Sequence, residues 1–174
     1  DQPTTTESGW LDIAYDGNHF YSSDDEWVTE WVVTGLPGNP VLQVVEEILG
    51  PDSLNRALAY DPVTDHFWTA SYGPIYEFDR SGTVYNTYGS PYSVYGMAWD
   101  NYSELAPCLW VTTPPWPPGF VRRFDPLTGT YDRDVYFHTW YWACGSCLTI
   151  DWNPSLVTLF LVTGSSTPYV VAYE

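Results

Sequence analysis

From Leu58 to Gly82 the chain reads LAYDPVTDHFWTASYGPIYEFDRSG, three short apolar segments each stopped by a turn, and the pattern returns along the sequence. Leu58-Ala59-Tyr60 ends at Asp61-Pro62, and His66 to Ala70 is rich in aromatic and β-favouring residues. Ile75 to Phe78 ends at Asp79-Arg80-Ser81-Gly82, where Asp supplies a side-chain turn bond and Gly the positive φ of a tight reversal. Segments this short, so closely punctuated, leave no room for a helix. The unit is strand, turn, strand, turn.

Relatives of this unit cover the chain. Trp10 to Tyr15, His19 to Ser23, Trp27 to Val33 and Val41 to Val45 predict a first four-stranded unit with a loop over Gly35 to Pro40; Glu46 to Leu49 is too close to Gly50-Pro51 to be helical. Thr83 to Tyr88 completes the second unit. Gly96 to Asp100, Cys108 to Thr113, Phe120 to Asp125 and Tyr131 to His138 make a third. Leu148 to Asp151, Leu156 to Thr163 and Tyr169 to Tyr173 give a fourth unit of three strands. The first strands end at Asp16, Asp61, Asp100 and Asp151, 45, 39 and 51 residues apart. A period near 45 with four strands per period is the mark of propeller blades.

The YDP…W…I-Y-x-F-D-x-x-G units resemble the β-propeller repeats of the NHL, YVTN and gluconolactonase-like class, from Trp10 to Glu174. The resemblance implies an all-β fold, a β-propeller of about four blades of four antiparallel strands, near 10–50, 56–90, 95–140 and 146–174, the last lacking its outer strand. It implies fold more than activity. Gluconolactonase-like propellers hold a metal with acidic and amide side chains in the channel, and no residue here is matched to those ligands. The open edge of blade four wants a cover. Three remain open: residues 1–9 as a closing strand, the same segment from a neighbouring molecule, or a second copy completing a larger ring.

Composition narrows the function classes. With five Arg, no Lys and 22 acidic residues the net charge is −17, which repels nucleic acid and anionic lipid. No stretch reaches the roughly 18 apolar residues of a membrane helix. The polar first eight residues read as a mature end left after export, with a Thr4–Thr6 run of O-glycosylated character, and Asn101-Tyr102-Ser103 is an N-glycosylation acceptor. An extracellular or cell-surface location follows. No cofactor is expected, and calcium is the ion that acidic patches suit.

The four first-strand aspartates are read as turn residues whose carboxylates bond the backbone two positions on. His19 and His66 recur by unit, which argues structure over catalysis; His138 stands alone and is the one candidate for general-base chemistry. Cys144-Gly145-Ser146-Cys147 lacks the strand-to-helix setting of a redox motif and is read as a local Cys144–Cys147 disulfide clamping a loop. Cys108 is left buried and free, or bonded to another molecule. Trp116, on the proline-stiffened run Thr112 to Gly119, and Trp140, Tyr141 and Trp142 are candidate ligand or interface aromatics.

These features favour an exported, non-enzymatic structural or interaction module that binds other protein, copies of itself included, assembling by strand addition at the open last blade. The competing reading is a propeller hydrolase or lyase, or a carbohydrate-binding lectin, working at the channel mouth.

Overall fold

The structure is a computed structural model; it describes residues 10–103, 105–113, 120–136, 142–150, 157–164 and 170–173, with side chains to residue 134. All described regular elements are strands, arranged as four antiparallel meanders in chain order. Sheet 1 is β1 (Asp12–Tyr15), β2 (Phe20–Ser23), β3 (Trp27–Leu36) and β4 (Asn39–Leu49). Sheet 2 is β5 (Ala57–Asp61), β6 (His66–Ala70), β7 (Ile75–Phe78) and β8 (Val84–Tyr88). Sheet 3 is β9 (Gly96–Asp100), β10 (Cys108–Thr113), β11 (Phe120–Asp125) and β12 (Thr130–Tyr136). Sheet 4 contains β13 (Trp142–Ile150), β14 (Val157–Gly164) and β15 (Val170–Tyr173).

The turn chemistry behaves as the sequence predicts. Asp79 Oδ1 accepts the amides of Ser81 (2.8 Å) and Thr83 (3.0 Å), and Gly82 takes φ +80°. Asp61 accepts from Val63 N (2.8 Å), Asp100 from Tyr102 N and Ser103 N (2.9 Å each), and Asp16 from Asn18 N and His19 N (2.8 and 2.7 Å).

Two segments differ from expectation. The loop expected over Gly35 to Pro40 is a two-residue turn, Pro37-Gly38, closing the Leu36↔Asn39 pair. Proline presets φ at the first corner and Gly38, at φ +92°, takes the second, so the residues that read as strand breakers build a hairpin. The cysteine loop is also a strand: β13 starts at Trp142 and runs through Cys144 and Cys147, so the fourth unit begins before residue 146. Cys144 sits where the register shifts between Ala143 and Gly145. The side chains of Cys144 and Cys147, and with them the expected disulfide, lie outside the described residues.

Within each sheet one face looks toward the next sheet in the chain, the leading face, and the other toward the preceding one, the trailing face. Ala14, Tyr21, Val28 and Ile48 on the leading face of sheet 1 meet Leu58, Phe67 and Phe78 on the trailing face of sheet 2. Ala57, Ala59, Trp68, Ala70 and Ile75 of sheet 2 meet Met97, Leu109, Val111 and Phe124 of sheet 3, with Trp68 and Trp99 stacked at 5.6 Å and 13°. Small residues opposite large ones let the two layers interdigitate. At the inner edges β1 touches β5, β5 touches β9, β9 touches β13, and β13 touches β1.

Candidate functional site: inter-sheet polar network and an open apolar face

The pairing registers align the sheets residue by residue. Asp12 matches Ala57 and Gly96; Tyr15 matches Tyr60 and Trp99; Phe20 matches Phe67 and Leu109; Trp31 matches Phe78 and Phe124. On this alignment His19, His66 and Cys108 share one position, and Glu30, Glu77 and Arg123 another.

The first two histidines are structural, and their partners are carboxylates that sequence reasoning overlooked. His19 Nδ1 bonds Glu30 Oε1, and His66 Nδ1 bonds Glu77 Oε1 at 2.7 Å. The spacing is eleven residues in both, a repeated signal visible in the sequence. Asn86 Nδ2 donates to Glu77 Oε2 at 2.5 Å and Tyr85 lies against the His66 ring, so that site is filled from within sheet 2. In sheet 3 the same place holds Cys108 beside Arg123. Cys108 is fully buried and free, beside Asp100 at 3.9 Å; burial, then the Asp100 charge, pushes its thiol up to about 11, so it stays protonated and unreactive at neutral pH.

Arg80 ties sheet 2 to sheet 1. From the β7–β8 turn its Nη2 reaches Asp16 Oδ2 at 2.9 Å and its Nη1 bonds the Tyr21 hydroxyl, while Nε reaches Asp65 Oδ1 at 2.9 Å. The Tyr21 hydroxyl in turn donates to Asp16 Oδ2 at 2.8 Å and Glu30 Oε1 at 3.1 Å. Burial works against ionised Asp16, yet the His19 and Asn18 amides, the Tyr21 hydroxyl and Arg80 outweigh it and hold the carboxyl at about 2. Burial raises Tyr21 above the usual phenol range, despite Arg80. The network has the composition of a catalytic cluster, but the groups named here are bonded to one another, and Arg80 to Asp16 and to Tyr21 joins sheet 2 to sheet 1.

Asp12 was also missed. It is 7% exposed, and its Oδ2 accepts Leu58 N and Met97 N, each at 3.0 Å, so one carboxylate from β1 binds the backbones of β5 and β9. The matching positions are Ala57 and Gly96, which leave room for it. Among the described residues no group of three or more His, Cys, Asp or Glu is arranged to hold a metal.

The other sequence candidates scatter. Trp116, His138, Trp140 and Tyr141 lie outside the described residues, and Trp142, Cys144 and Cys147 fall on β13. Asn101 is in the turn after β9, where Ser103 Oγ donates to Asp100 Oδ2 at 2.5 Å.

The largest concentration of exposed apolar side chains among the described residues was not expected. On the trailing face of sheet 1, Ile13, Tyr15 and Phe20 are 43%, 53% and 38% exposed, continued outward by Val33 and Val44. The counterparts of Ile13 and Phe20, namely Leu58, Met97, Phe67 and Leu109, are at most 1% exposed, while those of Tyr15, namely Tyr60 and Trp99, are half-buried. The Tyr15 and Phe20 rings meet at 4.7 Å, tilted by 32°; Trp31 is covered by Trp10 at 5.1 Å and donates its indole N–H to Ser22 Oγ at 2.8 Å. Beyond Trp31, β3 and β4 run on past the end of β2 as a two-stranded ribbon from Val32 to Gln43.

No family model and no curated protein matches the sequence. Among solved structures, the chain is similar to Kuenenia stuttgartiensis hydrazine synthase, with a TM-score of 0.61 at 15% identity, over 100% of this chain and 48% of that one. The chain thus spans about half the length of that solved chain, and the likeness at this identity is one of fold.

Proposed function

We propose that this chain is a four-bladed β-propeller serving as an exported, non-enzymatic interaction module. The blade reading is supported by four successive meanders whose innermost strands β1, β5, β9 and β13 touch in turn, with β13 against β1. The interaction reading is carried by the trailing face of sheet 1. Among the described residues this face carries apolar side chains like those of the interior faces of sheets 2 and 3, with Ile13, Tyr15 and Phe20 at 43%, 53% and 38% exposure, the make-up of an association surface, whereas the acid, base and thiol groups described above in sheets 1 to 3 hold one another. Export rests on the acceptor sequence at Asn101.

Two measurements test it. Class averages from electron microscopy are expected to show four blades around one axis, and any other blade number contradicts the ring. The native protein is expected to bind the dye bis-ANS, with the signal lost in Phe20→Asp; a native protein that binds none contradicts an open apolar face.

A further inference from the structure

We propose that one end of sheets 2 and 3 holds a binding site for a carboxylate carried on a ring, with Arg56 as its anchor and Tyr72 and Tyr95 as its aromatic walls. This site lies apart from the trailing face of sheet 1 and goes beyond the interaction reading above.

Strand order brings the three residues together. Arg56 immediately precedes β5, Tyr72 sits in the turn between β6 and β7, and Tyr95 immediately precedes β9. In an antiparallel meander the start of the first strand and the turn between the second and third lie at the same end of the sheet. Contact of β5 with β9 sets these ends of sheets 2 and 3 side by side. Backbone bonds then fix each position: Val94 N donates to Ser71 O at 2.6 Å, and Tyr95 N to Thr112 O at 2.8 Å. Asn55, fully buried beside Arg56, donates its amide and its Nδ2 to Asp25 O at 2.7 and 2.9 Å.

The Arg56 guanidinium lies 3.7 Å from the Tyr95 ring centre and 5.8 Å from that of Tyr72, and the two rings stand edge to face at 6.4 Å and 83°. A guanidinium stacked on a ring keeps its in-plane N–H groups for bonding. Among the described residues one of them is used, Nη1 donating to the Tyr72 hydroxyl at 2.8 Å. Arg80, Arg122 and Arg123 are each paired with a carboxylate, whereas tyrosines hold Arg56, in a chain of 22 acidic and five basic residues. Because the Tyr72 hydroxyl accepts from Arg56, its own O–H is left to donate beside the guanidinium.

This chemistry selects the ligand. The polar groups offered by Arg56 and Tyr72 are donors, so they suit a group that only accepts, and a planar guanidinium matches a planar carboxylate through paired bonds. The net charge of −17 penalises every charge a ligand brings, which favours a single carboxylate over sulfate or phosphate. Tyr72 is 63% exposed, and its ring is a flat surface against which a ring next to that carboxylate can lie. A sugar acid and an aromatic acid share these features.

The test is calorimetric titration of the full chain with sodium glucuronate and with sodium phenylacetate, each beside its neutral amide. At least one acid is expected to bind with a Kd of about 1 to 10 mM, and its amide about 10-fold more weakly. Binding of glucuronate alone supports the site as one for sugar acids, and binding of phenylacetate alone as one for aromatic acids. Arg56→Lys keeps the charge but loses the planar fork, and is expected to weaken binding about 10-fold; Tyr72→Phe, which removes one hydroxyl, weakens it about 5-fold. Arg133→Gln removes the same charge from an exposed position on β12 and leaves binding unchanged. Should Arg56→Lys misfold, Tyr72→Phe carries the test. No binding of either acid at about 50 mM, amides that bind as tightly as the acids, sulfate that binds more tightly than both, or binding unaltered in Arg56→Lys and Tyr72→Phe overturns the proposal.

Discussion

Phe67 and Phe20 occupy the same place in adjacent sheets, opposite the same partner positions, yet one is fully buried and the other 38% exposed. Leu58 and Ile13 repeat the contrast at 0% and 43%. Sheet 2 has sheet 1 on its trailing side; among the described side chains, sheet 1 has nothing comparable. Identical side-chain chemistry thus makes a core in one place and a surface in the other, and the difference lies in the neighbour supplied.

The contrast has measurable consequences. Phe67→Ala, which opens a cavity between Tyr21, Leu58 and Phe78, is expected to cost about 4 kcal/mol in denaturant unfolding, whereas Phe20→Ala costs less than about 1 kcal/mol. Equal losses would erase the distinction between the two faces.

Asp12 marks the point where sheets 1, 2 and 3 meet. Asp12→Ala leaves the amides of Leu58 and Met97 buried without this acceptor, and an expected loss of about 3 kcal/mol follows. A variant as stable as wild type would show that the inner strands do not depend on this carboxylate.

The interface of sheets 1 and 2 is polar at its rim, where Arg80 meets Asp16 and Tyr21. Asp16 is held at about 2 in the folded chain against an ordinary 3.8, so its ionised form favours folding. That contribution is complete above pH 4 to 5 and is lost as pH falls toward 2, a change on the order of 2 kcal/mol. Acid titration of unfolding free energy is expected to flatten over that window in Asp16→Asn; an unchanged slope would move the acid sensitivity elsewhere.

Much of this architecture is legible in the residues. The Asp–Gly turns and alternating aromatic strands specify four meanders because turn chemistry and period two are local properties. The Pro37-Gly38 hairpin was misread because the same two residues break a strand and close a type II turn. The cysteine stretch read as a loop because its Gly-Ser pair lowers strand propensity, while pairing with β14 supplies the backbone bonds that propensity ignores. Glu30 and Glu77 were available as a repeated eleven-residue spacing from His19 and His66. Asp12 was not, since its acceptor role depends on amides 46 and 85 residues away. The open face was illegible for a deeper reason: Ile13-Ala14-Tyr15 and Leu58-Ala59-Tyr60 are nearly the same sequence, and only the sheet arrangement separates them.

The most direct test of that separation is oxidative footprinting followed by mass spectrometry. Phe20 and Ile13 are expected to be oxidised readily, while Phe67 and Leu58 stay protected. Equal reactivity of Phe20 and Phe67 would contradict the difference between the two faces.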